Sequence, residues 1–379
     1  MNEFTIDFYQ NILTLLIIII SFSIVFLVGV KDKHDINKVV AIFIWHTFFS
    51  IVYFVYTLSN QADARKYYRV SLTNGFDFSP GTKFIYYITS FPTQILDASY
   101  INTALFYNFI GVLGLVFLYK SLKYSLVRLP WYWVFVLFIP SMSFWSGGLG
   151  KDAISFCATC LFLYAITTSK KTTLLAFISF VMMFMVRPHI AALMLVSYVI
   201  YFVIQSKTHL VIKALILPFI GIGVFLSIGF VQQYIGLEDA SLDNVTGYID
   251  ERQVSNLGGG SSLDIASMSY PMQMFTYVFR PLPFEAHNIV SLVTAIENTA
   301  ILFLFLYILL KIKFDLKIFV QGKLLWLFMY AFLTCTILAV TTANLGIATR
   351  QKWMFMPVLL YLLIFAFYQY RTNNNRVNP

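Results

Sequence analysis

The sequence predicts an all-α fold, a polytopic transmembrane helical bundle of about eleven helices in a single membrane domain covering residues 1–379. Three observations carry this. Hydrophobic residues fill 59% of the positions and charged residues only 11%, with a mean hydropathy of +0.77, more apolar than a soluble core of this size can hide. Apolar stretches near the roughly 20 residues needed to cross a bilayer core of about 30 Å recur along the whole chain. The basic residues lie scattered in short segments between those stretches, so the net charge of +9 reads as membrane orientation and not as nucleic-acid binding.

The first stretch, Ile12 to Val30, is long and lacks a basic lead and a small-residue cleavage site, so it is expected to remain as a helix. Further spans are expected at Val39 to Ser59, Ile101 to Tyr119, Trp131 to Ser146, Ala153 to Thr168, Thr172 to Val186, Ile190 to Gln205, Val211 to Phe230, Ile289 to Leu310, Leu324 to Val340 and Trp353 to Tyr370. Only Arg187, Pro188 and His189 join the sixth and seventh, which predicts a tight hairpin, with a partly re-entrant pair as the alternative. Alternating sides places sixteen of the 26 Lys and Arg, among them Lys31, Lys120, Lys123 and Lys311, on one face with three of the 17 carboxylates. That face is expected to be cytoplasmic, with the N-terminus outside and the C-terminus inside.

Two segments exceed a turn, residues 60–100 and 231–287, and both fall on the outer side. Each holds an apolar piece too short to span, Phe84 to Leu96 and Met268 to Leu282, suited to an amphipathic or re-entrant helix. Leu257 to Ser262 reads as a flexible hinge, and Thr372 to Pro379 as a disordered polar tail. Cys157, Cys160 and Cys335 lie in apolar runs and are expected to pack, without thiolate chemistry.

Charge at membrane depth costs at least about 2.5 to 3.5 kcal/mol at the centre, which makes such residues functional candidates. Glu297, about 12 Å along its helix from Ile289, heads the list beside Asn298, with Arg187 or Arg350 as its expected cation; a structural ion pair is the alternative. Arg187 with His189, and Arg350, present cations on the face where orientation does not call for them. Lys352 reads first as a snorkelling helix-end lysine. The run Asp63, Ala64, Arg65, Lys66, Tyr67, Tyr68, Arg69 joins a carboxylate, cations and rings suited to sugars, or else simply starts a surface helix. Lys151 and Asp152 follow a glycine-rich turn; Asp152 caps the next helix, or the glycines let backbone approach a phosphate. Arg280, Glu285 and His287 stand before the ninth helix. Glu238, Asp239, Asp243, Asp250 and Glu251 match no calcium loop and read as a solvated face. His46 lacks an evident polar partner, which weakens an acyltransferase reading. Trp131, Trp133, Trp145 and Trp353 fit an aromatic belt.

The order of these features resembles a known group. D-A-R-K-Y-Y at Asp63 to Tyr68 precedes an amphipathic F-I-Y-Y-I and a helix reading F-Y-N-F-I-G-V-L-G-L. P-S-M-S-F-W-S-G-G-L-G-K-D-A at Pro140 to Ala153, R-P-H at Arg187 to His189 and R-Q-K-W at Arg350 to Trp353 follow. The chain resembles bacterial polytopic glycosyltransferases of the GT-C kind and polysaccharide repeat-unit polymerases of the Wzy and EpsG groups. It departs from the GT-C pattern in having a helix ahead of the one that leads into the acidic loop. The resemblance implies a multi-pass protein of the bacterial inner membrane. Its activity would be extracytoplasmic sugar transfer from a polyprenyl-(di)phosphate-linked donor, in O-antigen, capsule or exopolysaccharide biosynthesis, alongside other polysaccharide-assembly proteins. Asp63 matches the acidic base of such enzymes, while Arg187, Arg280 and Arg350 match the outer arginines of polymerases.

Displacing a lipid diphosphate needs cations for the leaving charge and a carboxylate for the acceptor's proton. Arg187, Arg280, Arg350 and Lys151 suit the first task, Asp63 or Glu297 the second, and Tyr67, Tyr68 and Trp145 suit sugar stacking. Arg65, Asp152, His189 and Lys352 complete the expected binding residues. No cofactor motif and no metal set stand out, although a divalent cation at the diphosphate stays an open alternative. The rival reading is a transporter or flippase for a lipid-linked glycan, which would call for polar residues through both leaflets.

Overall fold

The computed structural model describes residues 7–60, 62–73, 77–168, 172–205, 208–209, 211–215, 218, 221, 247, 251, 262–286 and 288–377. Among them the regular structure is helical, and extended pairing is limited to a bridge between Ser262 and Asn344. Six helices are long and apolar enough to cross a membrane, or seven if one bent pair is a single span, as befits a membrane protein. The chain that reads as one domain divides into two compact units, Met1–Arg187 and Pro188–Pro379.

In the first unit, α1 (Phe8–Gly29), α2 (Lys33–Ser59) and α5 (Tyr100–Leu126) are the first three expected spans. Side-chain contacts fix their directions. Asn102 Nδ2 donates to the Gln10 carbonyl at one end, and Lys120 Nζ donates to the Val28 carbonyl at the other, so α1 and α5 run parallel. Thr57 meets Tyr100, and Asp35 meets Tyr119, so α2 runs opposite to both.

Helix α7 (Lys151–Thr167) is parallel to α5, because Gly114 abuts Cys157 while the Phe117 ring lies 5.5 Å from that of Tyr164. Two parallel helices require a return between them. The chain returns through a 3-10 helix, Trp131–Phe138, then α6 (Pro140–Ser146) and the glycines that follow. The expected continuous span from Trp131 to Ser146 is therefore broken. Pro140 lacks an N–H and disfavours helix at the residue before it, and Ile139 is indeed extended. A 3-10 helix rises about 2.0 Å per residue, more than an α-helix, so few residues still cover the distance. Helix α8 (Thr172–Val186) runs back along α7, with Ser179 Oγ donating to the Ala158 carbonyl. At 17 and 15 residues, α7 and α8 fall short of the six by length; α7 is buried nearly all round, which explains its uniform apolarity.

This alternation brings residues 62–73 and 77–100, Lys151 and Arg187 to one end of the unit. There α3 (Asp63–Ser71) buries Ala64, Tyr67, Tyr68 and Ser71, a helical stripe, and turns Arg65, Lys66 and Arg69 the other way. The apolar piece Phe84 to Leu96 forms α4 (Thr82–Ser90) and a π turn, Phe91–Ile95. It is tied down by Thr89 to Tyr107 and by Gly81 N–H to the Met185 carbonyl.

The opposite end carries a buried charge. Asp35 accepts from Tyr119 Oη at 2.5 Å, Lys123 Nζ at 2.7 Å and the backbone amides of Lys31 and Asp32. Asp35→Ala strands Tyr119 and half of the Lys123 interaction, since Lys123 also meets Asp32. A loss of about 3 kcal/mol, the low end for a broken buried pair, is expected. Thermal unfolding in detergent measures it, and an unchanged midpoint would contradict this role.

In the second unit, α9 (Pro188–Gln205) runs antiparallel to α12 (Lys323–Thr341), since Trp326 Nε1 donates to Met194 while Gln205 reaches the Val320 carbonyl. Helix α10 (Tyr270–Phe279) starts with Tyr270 Oη on Thr336. Its far end packs Phe279 on Phe305 of α11 (Ile289–Lys311), about 24 Å along α11 from its start. The chain then climbs back through Pro281 and the turn Pro283–Glu285 to begin α11. The piece Met268 to Leu282 thus forms a helix that dips into the unit and returns.

The last expected span, Trp353 to Tyr370, begins at a bend. Helix α13 (Leu345–Gln351) and α14 (Met356–Val377) meet at 61° across the 3-10 turn Lys352–Met354, and Tyr330 Oη donates to the Met354 carbonyl at this break. Helix α14 continues to Val377, through most of the segment expected as a disordered tail; extending a formed helix costs little compared with starting one. Trp353 and Trp133 are buried, correcting their assignment to a surface belt, whereas Trp131 is exposed. The span from Val211 to Phe230, the acidic run, the hinge and His287 lie outside the described residues, apart from 211–215, 218, 221, Glu251 and Ser262.

Candidate functional site

In the first unit the polar candidates meet where α7 begins and α8 ends. Gly150 precedes α7 with φ +146, a left-handed conformation that a side chain resists, and the Tyr67 ring carbon lies 3.1 Å from where a Cβ would stand. Glycine is therefore needed twice over, for its backbone and for the ring. Gly150 is also the helix cap, so the expectation that Asp152 caps α7 is corrected. The Asp152 carboxylate instead accepts from Arg187 Nη2 at 2.7 Å, and the guanidinium is largely buried. Such a pair fixes a cation in one orientation at the end of the bundle.

The chain neighbours of this pair, Ala153 and Val186, belong to an aromatic-rich buried cluster. Tyr67 and Tyr68 are buried in one cluster with Tyr53, Tyr100, Tyr107 and Leu149, and Phe144 and Trp145 pack on it. Trp145 meets Tyr53 edge-on at 6.0 Å. Asp63 lies exposed in the first turn of α3, one turn before Tyr67, and the cap there is Ala62. Lys151 is half-buried beside Asp152.

Arg65, with Lys66 and Arg69, faces away from this cluster. These three line an open hollow of about 500 Å³ with Leu58, Ser59, Asn60, Ala62 and Val70, where α2 ends. Arg65 reaches toward the Leu58 carbonyl at 3.5 Å. Lys66 and Arg69 were legible only as members of the charged run; their spacing on one face of α3 is what singles them out.

The second unit holds a separate buried polar group. Lys352 is 0% exposed at the α13–α14 break, and its ammonium donates to Asn298 Oδ1. Snorkelling is overturned: the break sets this lysine inside the unit, beyond reach of a surface. Asn298 Nδ2 donates to the Pro281 carbonyl on the return from α10. Glu297 is 9% exposed, and its charge acts on Lys352. Lys352 is thus one cation of this unit close enough to feel the Glu297 charge.

Arg280 donates to Glu285 through Nε at 2.8 Å and again through Nη2, while Leu282 N–H donates to the same carboxylate. Burial pushes the Glu285 carboxyl up, but these hydrogen bonds outweigh it and hold the group below its ordinary value of 4.5. A depressed carboxylate stabilises the fold above its unfolded value and loses that contribution as pH falls through the folded one. The clasp is therefore expected to stay closed from pH 8 down to about 4.5 and to weaken only below that. Hydrogen exchange of 280–286 against pH measures this, and opening near neutrality would contradict it. Arg350 is half-buried on α13, and His189 is half-buried at the start of α9.

One group was missed. His46 has partners on both sides: Nδ1 lies 2.7 Å from Asn108 Oδ1 and Nε2 lies 2.9 Å from Ser146 Oγ. All three are sealed from solvent, so they brace the broken return against α2 and α5. Both partners are distant in sequence, and no local signal marks them. Gly111 lets this brace form, since an added Cβ would stand 2.1 Å from the Ser146 carbonyl oxygen. Gly111→Ala is expected to cost about 1 to 3 kcal/mol by overpacking, measured by thermal unfolding; an unchanged midpoint would contradict it.

No family model, curated protein or solved structure matches the chain. Among the described residues no group of His, Cys, Asp or Glu is arranged to hold a metal ion. The cysteines are buried and unpaired, in keeping with packing.

Proposed function

We propose that this chain transfers or polymerises sugar from a polyprenyl-(di)phosphate-linked donor on the outer side of a bacterial inner membrane, in cell-surface polysaccharide assembly. The observation that carries the reading is the Asp152–Arg187 pair, whose chain neighbours Ala153 and Val186 belong to an aromatic-rich cluster at one end of a bundle of apolar helices. A lipid-borne diphosphate needs an oriented cation at the depth of its headgroup, and a sugar needs rings to lie against.

In this reading the acceptor hydroxyl attacks the anomeric carbon, and the bond from that carbon to the diphosphate oxygen breaks. Asp63, exposed on α3, takes the acceptor's proton, and Arg187 with Lys151 holds the leaving diphosphate. Asp152 positions the guanidinium. Arg280, Arg350 and Glu297 of the second unit are proposed to serve this activity by residue type alone, as cations and a carboxylate. The sixteen Lys and Arg on the opposite side support an outside N-terminus and an inside C-terminus.

A second reading, a flippase for a lipid-linked glycan, is favoured by the α13–α14 break with Lys352 at it, because transporters build sites at interrupted helices. Cells lacking the protein separate the two. Loss of a transferase leaves the lipid-linked sugar in the outer leaflet, open to periodate added outside. Loss of a flippase leaves it inside and protected, and that result would remove the transferase reading.

A further inference from the structure

We infer that the hollow between the end of α2 and the outer face of α3 binds the phosphate of a polyprenyl phosphate, with the prenyl chain lying along α2. The inference rests on the proposed transfer chemistry and adds a second place where a lipid-borne phosphate is held, apart from the Arg187 and Lys151 cations assigned to the leaving diphosphate. Two features meet there. The hollow is lined by Arg65, Lys66 and Arg69 with no carboxylate among its lining residues. Directly below it, Ile44, Phe48, Ile51, Val55 and Leu58 repeat every three or four residues on α2 and are each between 36% and 63% exposed.

That spacing puts them on one helix face, a continuous apolar track of about 21 Å. Leu58 belongs to both features: it ends the track and lines the hollow. Nearness of cations to an apolar track is what an anionic head on a long hydrocarbon tail requires. Phosphate oxygens accept charge-assisted hydrogen bonds from all three side chains, whose spacing along one helix lets them close on one group. The buried face of α3 points instead toward Gly150 through Tyr67, so a head held here sits across one helix from the Asp152–Arg187 pair.

The test uses the full chain in detergent with a polyprenyl monophosphate carrying a photoreactive group in its chain. Irradiation is expected to label the α2 peptide containing residues 44–58, read by mass spectrometry. Changing Arg65→Gln, Lys66→Gln and Arg69→Gln together is expected to lower labelling about a hundredfold, roughly one kcal/mol for each cation. Arg65→Lys with Arg69→Lys keeps the charge and is expected to keep the labelling, which separates lost binding from lost folding.

Equal labelling by the phosphate-free polyprenol would overturn the inference. So would equal displacement by phosphatidylglycerol vesicles, which would make the hollow a general headgroup contact. Charge-dependent labelling without sugar transfer leaves this site standing and removes the transferase reading. Sugar transfer with labelling that ignores the three cations does the reverse.

Discussion

Arg187→Ala is expected to abolish product, with a loss of at least about a hundredfold in transfer rate, while the protein still reaches the membrane. The size follows from the role: a preorganised cation facing a developing charge contributes about 2.7 kcal/mol or more to the barrier. The same change removes the Arg187 pairing from the half-buried Asp152 carboxylate, so stability also falls. The two effects separate in the double variant Arg187→Ala with Asp152→Asn, which removes both charges. It should recover most of the stability and none of the transfer. Arg350→Ala is expected to lose product as well. Normal surface glycan from both single variants, with normal protein levels, would end the catalytic assignment of these arginines.

The second large effect is on stability. Lys352→Met removes a cation that is 0% exposed and leaves Glu297 buried beside Asn298 without it. Breaking a buried pair on one side costs about 3 to 5 kcal/mol, whereas replacing both members with neutral groups is often close to neutral. The cycle Lys352→Met, Glu297→Gln and the double variant, followed by thermal unfolding in detergent, reads this directly. The double is expected to be more stable than either single. If the two losses simply add, Glu297 and Lys352 are not coupled.

The sequence makes some elements plain and hides others for physical reasons. Long apolar runs flanked by charge, such as Phe8–Gly29 and Lys323–Thr341, appear as helices within a few residues of their expected ends. The short apolar pieces of the two long segments also emerge as helices, α4 and α10. What hydropathy cannot register is a break inside an apolar run. Pro140 interrupts one expected span with apolar residues on both sides, and the turn at Lys352–Met354 joins the start of the last span to a short, more polar helix ahead of it. That is why Lys352 reads as a helix-end lysine when it stands at a buried bend.

Pairings between distant residues are the other hidden class. Arg187 was visible as a cation on the face where orientation does not call for it and Asp152 as an acid after a glycine-rich turn, but their contact depends on α8 running back along α7. His46 looked solitary because Asn108 and Ser146 reach it only through the parallel arrangement of α5 and α7 with a return between them. Asp35 carries no sequence signal beyond its charge, yet it accepts from Tyr119, Lys123 and the amides of Lys31 and Asp32.

The most direct measurement places purified protein in liposomes with a polyprenyl-diphosphate sugar labelled in the sugar and an acceptor glycan. The expected result is label in a new glycosidic linkage, with free polyprenyl diphosphate released in equal amount and both lost in Arg187→Ala. Label that crosses the bilayer still attached to its lipid, with no new linkage formed, would contradict glycosyl transfer as the activity of this chain.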